Sequence, residues 1–160
     1  MGFTAPPVRT LAIDLGDKRT GLAMGDDATG IASPLGLIEV TLDPANPARL
    51  IDALRAAVGR ECGPADRVAM GLPINIDGTE GPRAELTRRI AKALARALDR
   101  EILLLDERRT SQAADGHMAQ SGLTHGQKKA RRDAIAAAVM LTAFLSGEPP
   151  VDIVSPPNAP

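Results

Sequence analysis

Apolar positions along this chain come in short bursts, and most bursts stop at a charge, a glycine or a proline. Val8 to Leu15 reads as a buried strand and Thr20 to Met24 as a second, with Gly16 to Arg19 as the tight turn between them. Ile31 to Val40 completes an opening meander. Asn46 and Pro47 then supply an N-cap and a first helical position, after which Leu50, Ile51, Leu54 and Val58 recur at helical spacing. "RVAMGL" (Arg67 to Leu72) is a further strand, and Gly81-Pro82 opens a helix with the stripe Leu86, Ile90, Leu94 and Leu98. Glu101 to Leu105 is another buried strand, followed by a helix from about Ser111 to Gln120. Thr124 and Gln127 form a capping box for a last helix that ends near Leu145. The order βββ-α-β-α-β-α-α predicts an α/β fold with a mixed sheet covered by helices. The pattern predicts one domain over 1–146, and a Pro-rich, irregular tail over 147–160.

Acids sit at three places where such a pattern makes them costly. Asp14 ends the first strand, Asp106 and Glu107 follow the strand "EILLL" at once, and Asp133 begins the smooth helical run "DAIAAAVMLTAFL". Acids at strand ends often cap turns, and Asp17, Asp26 and Asp27 read as ordinary turn residues. Asp106 either caps the following segment or points away from Glu107. Functional crevices of open α/β sheets lie beyond the carboxyl ends of parallel strands, where both Asp14 and Glu107 fall. Asp133 shares a helix face with Ala137, Met140 and Phe144, so burying that face brings in the third carboxylate. Converging carboxylates repel one another, and a hard divalent cation relieves this. Oxygen ligands suit Mg²⁺ or Mn²⁺, which support phosphodiester hydrolysis without His or Cys. His117 and His125 read as surface residues.

Composition refines the expected substrate. Net charge is only −1 over 160 residues, so a polyanion must be held by a local patch. Cations flank each candidate acid: Lys18 and Arg19 after Asp14, Arg108 and Arg109 after Glu107, and Lys128, Lys129, Arg131 and Arg132 before Asp133. This placement fits phosphate binding and predicts a nucleic-acid partner. With two Phe and no Trp or Tyr, the chain lacks the aromatic platforms that read single-stranded bases. One cysteine excludes an intrachain disulfide. No window reaches membrane-span length, and the N-terminus has no signal-like apolar core. The expectation is a cytoplasmic protein without membrane contact.

"DLGDKRTGLAMGD", "GLPINIDGTEGPRAE", "LLDERRTSQAAD" and "KKARRDAIAAAVMLTAFL" resemble, in order and spacing, the motifs of the bacterial YqgF/RuvX family. Members are described as Holliday-junction resolvases and as nucleases that mature the 5′ end of pre-16S ribosomal RNA. The resemblance implies an RNase H-like fold, with a five-stranded mixed sheet whose second strand is antiparallel. It carries the family's acidic residues onto Asp14, Glu107 and Asp133. It makes the loop Gly71 to Gly78 a border of the site, and Asn75 and Arg83 contacts to substrate. Arg109 and Ser111 depart from the family's pattern after the DER motif.

The expected activity is therefore a metal-dependent endonuclease that processes the 5′ end of pre-16S rRNA. The alternative is resolution of four-way DNA junctions, for which a two-fold dimer would be needed. The sequence is compatible with a monomer or a homodimer. An actin-like phosphate-binding ATPase would need two such domains. A catalytically silent RNA-binding assembly factor would have no use for three gathered carboxylates.

Overall fold

The computed structural model describes residues 2–108 and 125–160, with the side chains of 125–130 outside the description. Strands β1 (Arg9–Asp14), β2 (Thr20–Asp26) and β3 (Ala32–Ile38) form the opening meander. Helix α1 (Ala48–Glu61), β4 (Arg67–Leu72), α2 (Pro82–Leu98) and β5 (Ile102–Asp106) follow. Helix α3 (His125–Leu145) and a short β6 (Asp152–Val154) complete the described elements. The helix expected near Ser111 to Gln120 lies outside the described residues, as do Thr124 and the Gln127 side chain of the expected capping box.

The strands hydrogen-bond in the order β3-β2-β1-β4-β5-β6. β1, β4 and β5 run parallel, whereas β2, β3 and β6 join antiparallel to their neighbours. The expected mixed sheet with an antiparallel second strand is present, with six strands rather than five. The extra strand comes from the tail, which is therefore not irregular throughout. "VDIV" is a short β-favouring run between proline pairs, and it pairs Ile102 with Val154. Arg88 ties it down by bonding both Asp152 (2.6 Å) and Glu80 (2.7 Å).

Two other details differ from expectation. Pro47, not Asn46, occupies the N-cap position of α1, and no side chain caps it. Asp43 organises that entry instead, taking the Ala45 N–H on its carboxylate (2.9 Å) and the Asn46 N–H on its carbonyl (3.2 Å). In α2, Ile90 and Leu94 are buried, but Leu86 and Leu98 are only half-buried. Small residues (Ala84, Ala91, Ala95) fill the contact line because they let the helix lie close.

The sheet's two faces have different side-chain sizes, and this decides where the site falls. Leu11, Ile13, Val68, Met70, Ile102 and Leu104 point to one face and pack with Leu50, Leu54, Ile90 and Leu94 of α1 and α2. The alternate positions Ala12, Ala23 and Ala69 point to the other face, where they meet Ala137, Ala138, Met140 and Leu141 of α3. Small residues on both partners bring α3 down close on the sheet. Among the described residues no helix is long and apolar enough to cross a membrane.

Candidate active site

Strand alternation aims the acids. Ala12 faces α3, so Asp14, two positions on, faces α3 as well. Leu105 faces α3, and Glu107 continues that parity just past β5, held by its N–H to the Leu72 carbonyl (3.3 Å). Asp106 has the opposite parity, and its carboxylate takes the Arg108 N–H and Nε at 2.8 Å each. Its parity turns it away from the Glu107 side, and the segment it would cap lies outside the described residues.

Two glycines make room beside Asp14. Gly21 pairs with Asp14 across β1 and β2, and a Cβ there would collide with the backbone of Asp133 and lie 2.6 Å from the Ala134 nitrogen. On the other side β1 and β4 pair up to Ile13–Met70, and Gly71 follows one step beyond. A Cβ on Gly71 would lie 2.6 Å from Glu107 Oε2 and 2.7 Å from Met140 Sδ. The structure thus brings Asp14, Glu107 and Asp133 to one place, at the carboxyl ends of parallel strands and under α3.

The electrostatics are those of crowded, half-buried acids. Burial, then the Glu107 charge and hydrogen bond, then the Asp133 charge push the Asp14 carboxyl up to about 8. Burial also raises Glu107, while a hydrogen bond from Asp14 opposes that rise. A protonated Asp14 donating to a Glu107 carboxylate accounts for both directions. Arg83, at the start of α2, counteracts the crowding on both acids. Its guanidinium pairs with Asp17 and donates to the Leu15 carbonyl at 3.0 Å, so it fastens the β1–β2 turn as well.

The other sequence candidates separate into distinct environments. Lys18 and Arg132 are exposed and Arg19 is half-buried, while the Lys128 and Lys129 side chains lie outside the described residues. Arg108 bonds back to Asp106. Asn75 is exposed and closes its own loop, its N–H reaching the Thr79 carbonyl (2.9 Å) and its Nδ2 the Thr79 hydroxyl (3.0 Å). Sequence reasoning passed over Asp17 as a turn residue; its pairing with Arg83 spans 66 positions of the chain, and no local pattern signals it. Gly21 was missed too, although a glycine inside an apolar strand is a recognised mark of close backbone approach.

The donor set is carboxylate oxygen, which suits a hard divalent ion. Crowded acids of raised pKa must be neutralised by protons or by a cation. Among the described residues, however, no three His, Cys, Asp or Glu side chains already stand at metal-binding spacing. Asp14 and Glu107 are closed on their shared hydrogen bond instead. The residues fit a divalent ion in chemistry, and binding one would require that hydrogen bond to open.

A mixed sheet of this topology, with acids at the carboxyl ends of its parallel strands and a helix laid across them, places the chain among RNase H-like α/β proteins. The fold agrees with that of Thermus thermophilus RuvC in complex with a Holliday-junction substrate. The TM-score is 0.55 at 17% identity, covering 90% of this chain and 99% of RuvC. The model of the family described as "RuvX: Holliday junction resolvase" matches residues 8–147, and the chain belongs to that family. Relatives named "Putative pre-16S rRNA nuclease" include one from Anaeromyxobacter sp. (strain Fw109-5), 37% identical over 88% of this chain and 98% of its own length. Another, from Thiobacillus denitrificans, is 41% identical over 84% of this chain and 88% of its own.

Proposed function

We propose that this chain is a divalent-metal-dependent endonuclease that hydrolyses phosphodiester bonds in the 5′ region of pre-16S ribosomal RNA. The observation that carries this reading is the gathering of Asp14, Glu107 and Asp133 at the carboxyl ends of β1 and β5 and on the helix above them. Membership of a nuclease family supports the reaction class. The names of relatives that match nearly end to end favour ribosomal RNA as substrate.

Asp14, Glu107 and Asp133 would hold Mg²⁺ or Mn²⁺. A bound ion supplies activated water and stabilisation of the leaving oxygen. The chain's own contribution is positional. Alternation on β1 and the β5 end fixes two carboxylates, and the contact of α3 with Gly21 fixes the third. Arg83 keeps the acids ionisable, and Lys18, Arg19, Arg131 and Arg132 offer charge to phosphates. Lys128 and Lys129 belong to the same basic run.

Four-way DNA junctions are the second reading, favoured by the family's description. The test offers labelled pre-16S RNA fragments and four-way junctions to the purified chain, with Mn²⁺ and with chelator. Mn²⁺-dependent RNA cleavage, abolished by Asp14→Asn, is expected. Cleavage of junctions but not RNA reverses the substrate, and cleavage that survives Asp14→Asn removes the site.

A further inference from the structure

Beside the carboxylates, a groove of about 620 Å³ opens between β3 and α3. Its walls are Pro34, Leu35 and Leu37 from the strand and Arg131, Ala134 and Ile135 from the helix. Register fixes its distance from the acids. Leu37 pairs with Gly21, and Gly21 pairs with Asp14, so the groove begins two strands from Asp14, ~10 Å at ordinary strand spacing. On the helix, Arg131 and Ala134 bracket Asp133 in sequence.

A bulge builds the strand wall. Leu22 pairs with Gly36 but Ala23 with Pro34, which leaves Leu35 as the extra residue. In a regular strand, positions 34 and 37 would face opposite sides. Here Pro34 sits opposite Ala23 and Leu37 opposite Gly21, both on the α3 side of the sheet. Leu35 remains 42% exposed at the groove. A leucine half in water on an edge strand contributes little to the core.

The chemistry of the walls identifies an occupant. Five of the six wall side chains are apolar, and the sixth is an exposed guanidinium at the edge. A nucleotide has that same division, with a flat apolar base face and a phosphate. The groove also lies within two strands, ~10 Å, of the carboxylates that would cut a phosphodiester. We propose that it seats the nucleobase next to the scissile phosphate of an RNA strand, with Arg131 facing that nucleotide's phosphate. Because the apolar walls carry no side-chain donor or acceptor, the groove accepts a base without reading its identity. It therefore works as a positioning subsite, serving the function that aromatic platforms serve elsewhere. The inference rests on the nuclease reading above.

The test separates the two by measuring binding without cleavage. Single-stranded RNAs, each with one 2-aminopurine at a different position, are titrated with the full chain in chelator, alongside the same series in DNA. At least one position is expected to change emission on binding. Leu35→Asp should remove that response and weaken RNA binding about tenfold, the scale of one stacked base. Leu35→Met should retain both. A response that survives in both Leu35→Asp and Ile135→Asp, or no responsive position, overturns the subsite. So does a response confined to DNA, or a dimer of this chain that Leu35→Asp dissociates. Absence of metal-dependent cleavage with the 2-aminopurine response intact overturns the nuclease reading alone and leaves the groove as an RNA-binding site.

Discussion

Gly21 lies directly against the backbone of Asp133, with no room for even a methyl group between strand and helix. This contact sets the height of α3 above Asp14, the residue opposite Gly21 in the sheet. In Gly21→Ala the obstacle is backbone, which cannot swing aside, so helix or strand must move. The expected cost is about 1–3 kcal/mol of stability, typical of overpacking. Cleavage should fall by much more than the stability loss explains, since Asp133 moves with the helix. Thermal unfolding and single-turnover cleavage on the same preparation check this. Wild-type activity in a folded Gly21→Ala protein would mean that the height of Asp133 is unimportant.

Gly71→Ala makes an instructive contrast. There the added methyl meets Glu107 Oε2 and Met140 Sδ, the far ends of flexible side chains. Both can rotate away, so stability should change by under about 1 kcal/mol, while activity drops because Glu107 is displaced. Equal losses of stability and activity would contradict this account. The measurement pairs urea unfolding with a Mn²⁺ titration of cleavage.

The parts of this architecture legible in the sequence are those carried by one continuous segment. β4 and α2 were bounded correctly because "RVAMGL" stops at Pro73 and Gly81-Pro82 opens the helix. Asp14 and Glu107 stood out because each lies at or just past the end of an apolar strand. What escaped depends on distant segments meeting: Gly21 on Asp133, Arg83 on Asp17, and the tail strand beside β5. The bulge at Leu35 escaped as well, since nothing local distinguishes a bulged leucine from a paired one. Asn75 is exposed and bonds Thr79 within its own loop, a local arrangement that its sequence does not separate from a substrate contact.

The metal-free protein should lose stability as pH rises. Asp14 is held up to about 8 when folded, against an ordinary value of 3.8. Between those values the folded chain binds a proton that the unfolded chain releases, so stability declines across that window and levels off above it. In chelator, the melting temperature is expected to fall from about pH 5 to about pH 8. Asp14→Asn should flatten the slope, and Mn²⁺ should raise the melting point most at the alkaline end, where fewer protons compete for the carboxylates. A flat wild-type profile would show that Asp14 titrates normally.

Arg83 was expected to touch substrate, yet it reaches the Leu15 carbonyl and Asp17 and lowers the pKa of both Asp14 and Glu107. Removing its charge should leave both acids harder to ionise. In Arg83→Gln the acidic limb of the pH–kcat/KM profile is expected to move toward higher pH, and Arg83→Lys should move it less. A rise in KM with an unmoved limb would mark Arg83 as a phosphate contact instead.

Thr20 opens β2 fully buried, and its hydroxyl oxygen has no hydrogen-bond partner among the described residues. A buried hydroxyl without a partner keeps its desolvation cost and gains nothing in return. Thr20→Val preserves the shape and removes that oxygen, so stability is expected to rise by about 1 kcal/mol, or about 2–4 °C in melting temperature for a chain of this size. Thr20→Ser keeps the hydroxyl and deletes a buried methyl, so it should destabilise by a similar amount. Cleavage should be unchanged in Thr20→Val, because the side chain shares the face of Leu22 and Ile13, away from α3. Loss of stability in Thr20→Val would instead reveal a partner for the hydroxyl.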